Sequence, residues 1–473
     1  MIRKNQSEPI PTLELLDERA CAFQQCVVFM RQAYPNSAVM TYDHTCHRGA
    51  EQLLLSKFVV GIGRETPMWL TYTECDDRTT ADNIVGGLRS IAYTEDGTCI
   101  TTELYPLMAG RDTMAWEGAA LLKIKCDGDT GIWLKFGSGN IAFMHFSPNV
   151  NLQGDQIDCE QGEAFIETDT VYITRAERPL VTAVKGSFQF EVRELEDGSE
   201  ERRGSYITAY CQQNEAYAVV GFSLEKDRAA ALASLNPDEE YRKITAYYKE
   251  KLEQWQLDTP CAELNEAFMH AYLNVEYAWL RPYGWIESIQ HWPTMWHMEH
   301  TAAEEWAGNF DRVRECLRSQ MKNIFESGAI PDMCTTGKGR RDWGGNNQFF
   351  FREIEHYVKM TGDLDFVREA EPYLDRALAQ TFREYDPIGE GVIAWGTQIG
   401  NQEDFESTPG KGAATGSEGV RMLEILSYLK GLLGKQEEAF KLKAYSEYCR
   451  DRLIRHVWLR DMGRFAWYED IAG

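Results

Sequence analysis

The chain has 473 residues, so a typical domain size of about 150 residues suggests two or three domains. Its 43% hydrophobic and 26% charged residues exclude a disordered or fibrous protein. The formal net charge of −25 argues against nucleic acid as a partner, because phosphate binding needs clustered Lys and Arg. No run approaches the roughly 20 apolar residues of a membrane span, and no signal peptide is recognised at the start. The sequence therefore predicts a cytoplasmic protein without a membrane partner.

The cysteines do not suggest a disulfide framework or a metal centre. Twelve of them are spread from Cys21 to Cys449 without a CxxC pair, so we expect most to be reduced and buried. His44, Cys46 and His47 have metal-binding side chains, but no second cluster would complete a tetrahedral site. No GxGxxG turn, Walker loop or EF-hand run occurs, and neither a cofactor nor a metal is predicted.

The first half of the chain has the pattern of an all-β domain. Between about residues 37 and 223, short apolar runs alternate with turn signals. The runs at 121–126 and 132–136 flank Asp127 and Gly128, which predicts a β-hairpin. Further strands are predicted at 141–146, 165–168, 171–174, 188–192, 206–210 and 217–222. Many short strands at this spacing predict an antiparallel sandwich.

The second half has helical periodicity. After Glu225 helices are predicted at 228–235 and 241–255. Seven more are predicted at 262–280, 299–308, 310–326, 348–360, 364–382, 417–433 and 437–458. No strand pattern separates consecutive helices, which disfavours a βα barrel. We therefore divide the chain into an N-terminal β-sandwich at 1–224, a helical linker at 225–257 and a helical domain at 258–473.

Three segments of the helical domain resemble the six-hairpin glycosidases, which are built on an (α/α)6 toroid. Residues 257–268 resemble the entry helix of that barrel. The segment from Trp292 through Trp296 to Glu299 resembles a loop that these enzymes often write Trp-x-x-Asp. Residues 434–469 resemble the mid-barrel part of bacterial glucosidases related to processing α-glucosidase I.

The resemblance implies a multidomain β + α fold, with an N-terminal antiparallel β-sandwich followed by an (α/α)6 toroid. About seven of the twelve helices of such a toroid can be placed, since ordinary helices run to about 10–20 residues. We therefore expect the chain to end in the middle of the barrel.

The same resemblance implies a glycoside hydrolase that cleaves an oligosaccharide or small glycoside, with inversion as the usual outcome. Hydrolysis needs one carboxylic acid to protonate the leaving oxygen and one carboxylate to activate water. In the resembling glucosidases the acid follows a Trp by a few residues, and the matching segment here runs from Trp395 to Glu403 and Asp404. These two residues are the candidate acids. In the resembling enzymes the base lies in a late-barrel loop that this chain lacks, so we expect the chain alone to be inactive or nearly so.

An alternative role for Glu403 and Asp404 is to cap the helix that follows them. Gly410, Gly412 and Gly416 weaken this alternative, because they place the predicted start of that helix near residue 417.

The candidate sugar-binding residues lie in loops that combine Trp with polar side chains, since Trp stacks on sugar faces and the polar groups bond to hydroxyls. They are Trp292, Trp296, Glu299, Arg341, Asp342, Trp343, Asn347, Gln348, Trp395 and Gln402. Alternatively, Glu299 complements a helix dipole in a first turn, and the loop at 337–348 is a surface turn. Consecutive arginines at 340 and 341 also permit a uronic acid.

Two other functions are compatible with the same residues. A phosphorylase on a similar barrel would need a phosphate-binding set such as Lys338, Arg340 and Arg341. A carbohydrate-binding protein without catalytic activity would bind sugar but show no turnover.

Overall fold

The computed structural model describes residues 21–24, 27–31, 37–42, 52–70, 80–109, 117–138, 162–175, 178–194, 204–280, 284–285, 297–331, 346–396 and 408–470. Contacts divide the chain into two compact units, Met1–Leu280 with Ser288–Gln290 and Arg281–Glu287 with His291–Gly473. The predicted domain boundaries at residues 224 and 257 lie where the predicted secondary structure changes, whereas these two units are defined by contacts between residues. The predicted division into domains stays a prediction.

The first unit contains two antiparallel sheets followed by three helices. Its strands are β1 (Cys21–Gln24), β2 (Val27–Arg31), β3 (Ser37–Tyr42), β4 (Gln52–Ile62), β5 (Met68–Trp69), β6 (Thr80–Ile84), β7 (Gly87–Tyr93), β8 (Cys99–Pro106), β9 (Gly118–Cys126), β10 (Ile132–Gly137), β11 (Gly162–Glu167), β12 (Thr170–Arg175), β13 (Arg178–Gly186), β14 (Gln189–Glu194), β15 (Ser205–Cys211), β16 (Glu215–Ser223) and, after the helices, β17 (Trp279–Leu280). The helices are α1 (Lys226–Ala233), α2 (Pro237–Gln254) and α3 (Ala262–Ala278).

Each sheet has eight strands among the described residues. The first has the order β1-β2-β3-β4-β10-β15-β14, with β5 beside β4, and the second has the order β11-β12-β13-β16-β9-β8-β7-β6. In β10 the alternate residues Ile132, Leu134 and Phe136 are fully buried, as period-two alternation requires of a strand with one face in the core. The helices cover the second sheet: Ala229 of α1 packs near Tyr172, and Tyr248 of α2 packs near Tyr105.

The predicted hairpin around Asp127 and Gly128 is wrong. β9 pairs with β8 and β16, whereas β10 pairs with β4 and β15, so the link between β9 and β10 passes from one sheet to the other. Both sheets bind this link, because the Gly63 N–H donates to the Gly131 carbonyl at 3.0 Å and the Cys99 N–H donates to the Asp127 carboxylate at 2.7 Å. Alternation of apolar residues predicts a strand, but it does not identify the neighbouring strand.

The second unit is mainly helical. Its helices are α4 (His297–Trp306), α5 (Phe310–Asn323), α6 (Asn346–Thr361), α7 (Leu364–Tyr385), α8 (Ala413–Leu432) and α9 (Gln436–Val457). Its strands are β18 (Gly284–Trp285), β19 (Ala394–Gly396), β20 (Thr408–Gly412), β21 (Trp458–Leu459), β22 (Arg464–Phe465) and β23 (Tyr468–Asp470). With α3, the structure has a helix at each of the seven places where the helical half predicts one. No helix among the described residues is long and apolar enough to cross a membrane.

These helices pair as hairpins within the described part of the second unit. Links of two or three residues join α4 to α5, α6 to α7 and α8 to α9, and links this short connect antiparallel neighbours. The first helices of successive hairpins also touch, α4 with α6 and α6 with α8. The result is an inner row of α4, α6 and α8 backed by α5, α7 and α9, around one core that includes Leu317, Phe350, Leu374 and Leu426.

Helix α8 begins earlier than its glycines predict. It starts at Ala413 instead of near residue 417, so Gly416 and Gly419 lie inside it. A Cβ atom on Gly416 would lie 2.4 Å from the Leu453 side chain, and one on Gly419 would lie 2.7 Å from Ile393. The glycines therefore allow close packing of α8 against its neighbours, which outweighs their low helix propensity.

A buried lysine joins the last three helices of this unit. Lys430 of α8 has a side chain only 5% exposed, and its Nζ lies 3.0 Å from Glu371, 3.0 Å from Asp375 and 2.7 Å from Glu438. Burial alone would lower the pKa of Lys430, but the hydrogen bonds to these carboxylates outweigh burial and raise it. Lys430 therefore stays charged and connects α7, α8 and α9.

Candidate functional site

The linkers of the second unit are of two kinds. The links between the helices of each hairpin are short, whereas the segments 324–345 and 386–412, which lead into α6 and α8, are long. Because the hairpins turn back through the short links, the long segments meet the inner helices at the opposite end, at the N-termini of α6 and α8. Functional residues commonly lie on such long connections above a rigid scaffold.

A small cavity lies at this end of the inner helices. Its volume is about 10 Å³, which is room for about one water molecule, and it is partly open to solvent. Three helices and the strand region before α8 contribute its lining residues, which are Asn347, Gln348, Thr381, Ile393, Thr415, Glu418, Gly419 and Met422. Most of the polar groups among them come from the first turns of α6 and α8, so the chain brings the ends of both long segments to this cavity.

Two polar side chains of the cavity have no hydrogen-bond partner within the described part of the chain. Gln348 is 8% exposed and Glu418 is half-buried, yet neither side chain makes a hydrogen bond with any described residue. The hydroxyls of Thr381 and Thr415, in contrast, donate to the backbone carbonyls of Ala377 and Gly412. The Gln348 amide and the Glu418 carboxyl are therefore available to water or to a polar ligand at the cavity.

The pKa of Glu418 lies above the ordinary value of a glutamate. Burial raises its pKa to about 7, and the positive charge of Arg352 on α6 only partly opposes this rise. A carboxyl group with such a pKa keeps its proton in a substantial fraction of molecules at neutral pH. Sequence reasoning missed Glu418 because it lies within a helix, where an acid normally faces solvent. The signal that could have found it is the pair of glycines at 416 and 419 on either side.

Asn347, a predicted sugar-binding residue, supports the start of α6. Its amide nitrogen donates to Gln380 at 2.7 Å, to Thr381 at 2.9 Å and to the Ala377 carbonyl at 3.0 Å. Its oxygen accepts from the Ile330 N–H at 2.8 Å. These bonds use both amide hydrogens of Asn347. It could therefore bind a sugar directly only by accepting a hydrogen bond at the second lone pair of Oδ1.

The other predicted site residues fall where the structure gives no side-chain description. Glu299 lies in the first turn of α4 and Trp395 in β19, and their side chains lie outside the described set. The remaining candidates lie in segments outside the described residues and are Trp292, Trp296, Arg341, Asp342, Trp343, Gln402, Glu403 and Asp404. Their roles stay predictions.

The candidate metal ligands His44, Cys46 and His47 also lie outside the described residues. Within the described ranges no three His, Cys, Asp or Glu side chains come together as a metal site. The side chains of six cysteines are described, all as free thiols, and four of them are buried.

Solved structures share this fold at low sequence identity. A bacterial glucoamylase complexed with acarbose matches 92% of this chain and 66% of its own, with a TM-score of 0.63 and 11% identity. An inverting mannosidase of family GH92 from Bacteroides thetaiotaomicron matches 96% and 64%, with a TM-score of 0.54 and 11% identity. A putative kojibiose phosphorylase from the human microbiome matches 98% and 71%, with a TM-score of 0.51 and 9% identity.

No protein-family model and no curated protein sequence matches the chain. At sequence identities of 9–11%, the similarity establishes the fold alone. That fold is the multidomain combination of a β-sandwich with an (α/α)6 toroid, which confirms the predicted fold at this level. The chain spans less than two thirds of the glucoamylase and of the mannosidase. The finer resemblance to glucosidases related to processing α-glucosidase I stays a prediction.

Proposed function

We propose that the protein is a glycoside hydrolase that cleaves an oligosaccharide or small glycoside by inversion. The observation that carries this proposal is the cavity at the N-termini of α6 and α8, where Gln348 and Glu418 present an amide and a carboxyl without hydrogen-bond partners among the described residues. Sugar hydroxyls donate and accept hydrogen bonds, as this pair of groups requires. The similar structures include enzymes named for hydrolysis of glycosidic bonds, which supports the same class of substrate.

The proposed general acid is Glu403, with Asp404 as the alternative. Both belong to the long segment that leads through β20 into α8, so the chain connects them directly to the cavity. The acid must donate a proton to the leaving oxygen while a second carboxylate activates water on the other face of the sugar. The proposed sugar contacts from the tryptophans and from the loop at 337–348 would surround that reaction centre.

The test is hydrolysis of a panel of aryl glycosides and neutral disaccharides by the 473-residue chain and by Glu403→Gln and Asp404→Asn. We expect little turnover from the 473-residue chain; in whatever turnover it shows, loss of the residue that donates the proton should reduce kcat by about 10²–10⁴-fold. Glu437→Gln is the control, because that side chain is 82% exposed on α9. Turnover that Glu403→Gln abolishes would also place the base within this chain, with Glu299 and Asp342 as candidates. Turnover unaffected by both variants would contradict the assignment of the acid.

A phosphorylase is the second candidate, favoured by the similarity to the putative kojibiose phosphorylase. Lys338, Arg340 and Arg341 would then bind phosphate in place of the attacking water. Cleavage that requires added phosphate and releases a sugar phosphate would identify this function. Sugar binding with neither hydrolysis nor phosphorolysis in a full-length version of the protein would instead indicate a carbohydrate-binding protein. The place of action that we propose is the cytoplasm.

A further inference from the structure

The first sheet of the first unit has a face that is turned away from the hydrophobic core. Successive side chains of a strand point to opposite faces of its sheet. In β10 and β15, Leu134, Phe136 and Ile207 are buried in the core. The residues that alternate with them include Trp133 and Tyr210, which are partly exposed. These two aromatic side chains therefore lie on the outer face of the sheet.

One row of paired residues crosses five strands of this outer face. Trp69 of β5 pairs with Gly61 of β4, Gly61 with Trp133 of β10, Trp133 with Tyr210 of β15, and Tyr210 with Gln189 of β14. Residues directly opposite each other on neighbouring strands share a face. Because β4 separates β5 from β10, the backbones that carry the two tryptophans are about 10 Å apart. The row therefore presents two indole rings, a phenol and an amide in succession.

The rings of this row are held in place by their neighbours. A Cβ atom on Gly61 would lie 2.8 Å from the Trp69 ring, so the absence of a side chain there lets the ring lie against the backbone. The Nε1 of Trp133 donates to the Gly63 carbonyl at 2.9 Å, and the Trp133 ring centre lies 4.5 Å from that of Tyr210. Because the rings are already ordered, stacking a ligand on them costs little side-chain entropy.

The next row on the same face supplies hydrogen-bonding groups and little net charge. Lys135 of β10 pairs with Thr208 of β15, which pairs with Glu191 of β14. The Lys135 ammonium lies 5.5 Å from the centre of the Trp69 ring. Glu191 accepts two hydrogen bonds from Arg193, at 2.9 and 3.0 Å, so these two charges largely cancel. In a protein with a formal net charge of −25, this face is therefore suited to an uncharged ligand.

We propose that this outer face binds an uncharged oligosaccharide through an aromatic platform that consists of Trp69, Trp133, Tyr210, Lys135, Thr208 and Gln189. Sugar rings have apolar faces and hydroxyl edges. The aromatic rings match the former, and the ammonium, hydroxyl and amide groups match the latter. Two strand spacings separate the tryptophan positions, which favours a chain of several sugars over a single one. The inference goes beyond the proposed function and does not depend on it, because the platform belongs to the first unit and needs no catalytic residue.

The experiment is hydroxyl-radical footprinting of the 473-residue protein, read at single residues by mass spectrometry. The protein is oxidised in a brief pulse, alone and with maltohexaose, cellohexaose or mannohexaose. Trp69 and Trp133 are expected to be oxidised in the free protein, and one of the hexaoses should reduce their oxidation several-fold. Trp306 of α4 is the control, because it is 68% exposed and belongs to the second unit, so its oxidation should not change. Sugar bound only at the cavity would leave Trp69 and Trp133 unprotected.

Substitutions at Trp133 test stacking by affinity. Trp133→Ala removes the ring and is expected to weaken binding of the protecting hexaose about tenfold in calorimetry. Trp133→Phe keeps an aromatic ring without the indole N–H and should recover most of this loss. Trp306→Ala should bind the hexaose like the unmodified protein. Thermal unfolding of each variant distinguishes loss of the platform from loss of the fold, and footprinting needs no variant at all.

Each outcome decides the inference. Protection of both tryptophans by an uncharged hexaose, with weaker binding by Trp133→Ala, supports it. Tryptophans that stay unoxidised in the free protein would show that other parts of the chain cover the platform, and protection that grows with protein concentration would assign the face to a second copy of the chain. Either result overturns the inference, as does protection by none of the three hexaoses. The turnover assays of the proposed function are decided separately, so the two proposals can fail independently.

Discussion

Glu353 of α6 is a carboxylic acid that the helical core keeps neutral. It is 1% exposed, and only its Oε2 has a partner among the described residues, the Gln320 amide at 2.9 Å. Burial raises the pKa of Glu353 to about 8; the bond from Gln320 opposes the rise, and the negative charge of Glu305 adds to it. Glu305 is also buried. Its Oε2 contacts the His356 ring, whereas its Oε1 has no partner among the described residues. Two acids of adjacent inner helices thus share one poorly solvated region.

The raised pKa of Glu353 makes the stability of the second unit depend on pH. Between the ordinary value of 4.5 and the folded value of about 8, the folded protein holds a proton that the unfolded chain releases. Stability therefore falls as pH rises through this window. We expect Glu353→Gln to remove this loss and to raise the free energy of unfolding by a few kcal/mol at about pH 8, with little change near pH 4.5.

Denaturant unfolding of both proteins at several pH values measures this difference. Glu447→Gln on α9 is the control, because that side chain is 61% exposed and its substitution should leave the pH profile unchanged. If the Glu353→Gln protein loses stability with rising pH as steeply as the unmodified protein, groups other than Glu353 cause the pH dependence.

At the scale of elements, a glycine in the left-handed region forms part of each hairpin link. Gly308, Gly362 and Gly434 have φ values of +76°, +69° and +79°. In two of these links the following residue closes the turn, since the Asn309 N–H donates to the Glu304 carbonyl at 2.9 Å and the Lys435 N–H to the Lys430 carbonyl at 2.9 Å. This is the Schellman arrangement that ends helices at glycine. The glycine therefore ends the inner helix and allows the chain to reverse.

We expect Gly434→Ala to lower the free energy of unfolding by about 1–2 kcal/mol, because an L-residue pays that cost in the left-handed region. No atom lies within 4 Å of the Cβ that the substitution adds, so the cost is backbone strain without a steric clash. Gly434→Asn should cost less, since Asn tolerates this conformation better. Thermal unfolding of the two variants measures the difference, and equal stability of Gly434→Ala and the unmodified protein would contradict it.

The elements that the sequence predicts well are those with local signals. The helix beginning at Leu364 follows Asp363, whose carboxylate accepts from the Phe366 N–H at 2.9 Å, and the helix ending at Leu432 precedes Gly434. The partners of β9 could not be predicted, because strand pairing depends on residues far apart in the chain. Glu418 escaped prediction for a similar reason: the cavity that it lines is formed together with residues of α6 and α7, which are distant in the chain.

At the scale of the whole molecule, the two compact units have separate hydrophobic cores. Leu426 of α8 belongs to the core of the second unit, which draws on α5 to α9. The core beneath α2 in the first unit instead combines strand residues such as Leu121 and Val219 with Tyr248. Each unit therefore has the buried apolar material that its own cooperative folding requires.

We expect Leu426→Ala to destabilise the second unit by about 2–5 kcal/mol, because the substitution leaves a cavity in a packed core. Hydrogen exchange followed by mass spectrometry should show faster exchange in α6 and α8 and unchanged exchange in β9 and β16. Ile388→Ala is the control, because that side chain is 78% exposed. An equal loss of protection in β9 and β16 would show that the two units unfold together.

In the second unit, short connections hold the helix pairs together, and long connections lead to the cavity. The helix pairs are closed by the links at 307–309, 362–363 and 433–435, whereas the cavity is approached by the segments 324–345 and 386–412. Exchange of the long segments between related chains should therefore change the surroundings of the cavity without altering the helix ends. The short links, at the opposite end of the inner helices, are correspondingly the places where a fluorophore or an affinity tag could be attached without touching the cavity.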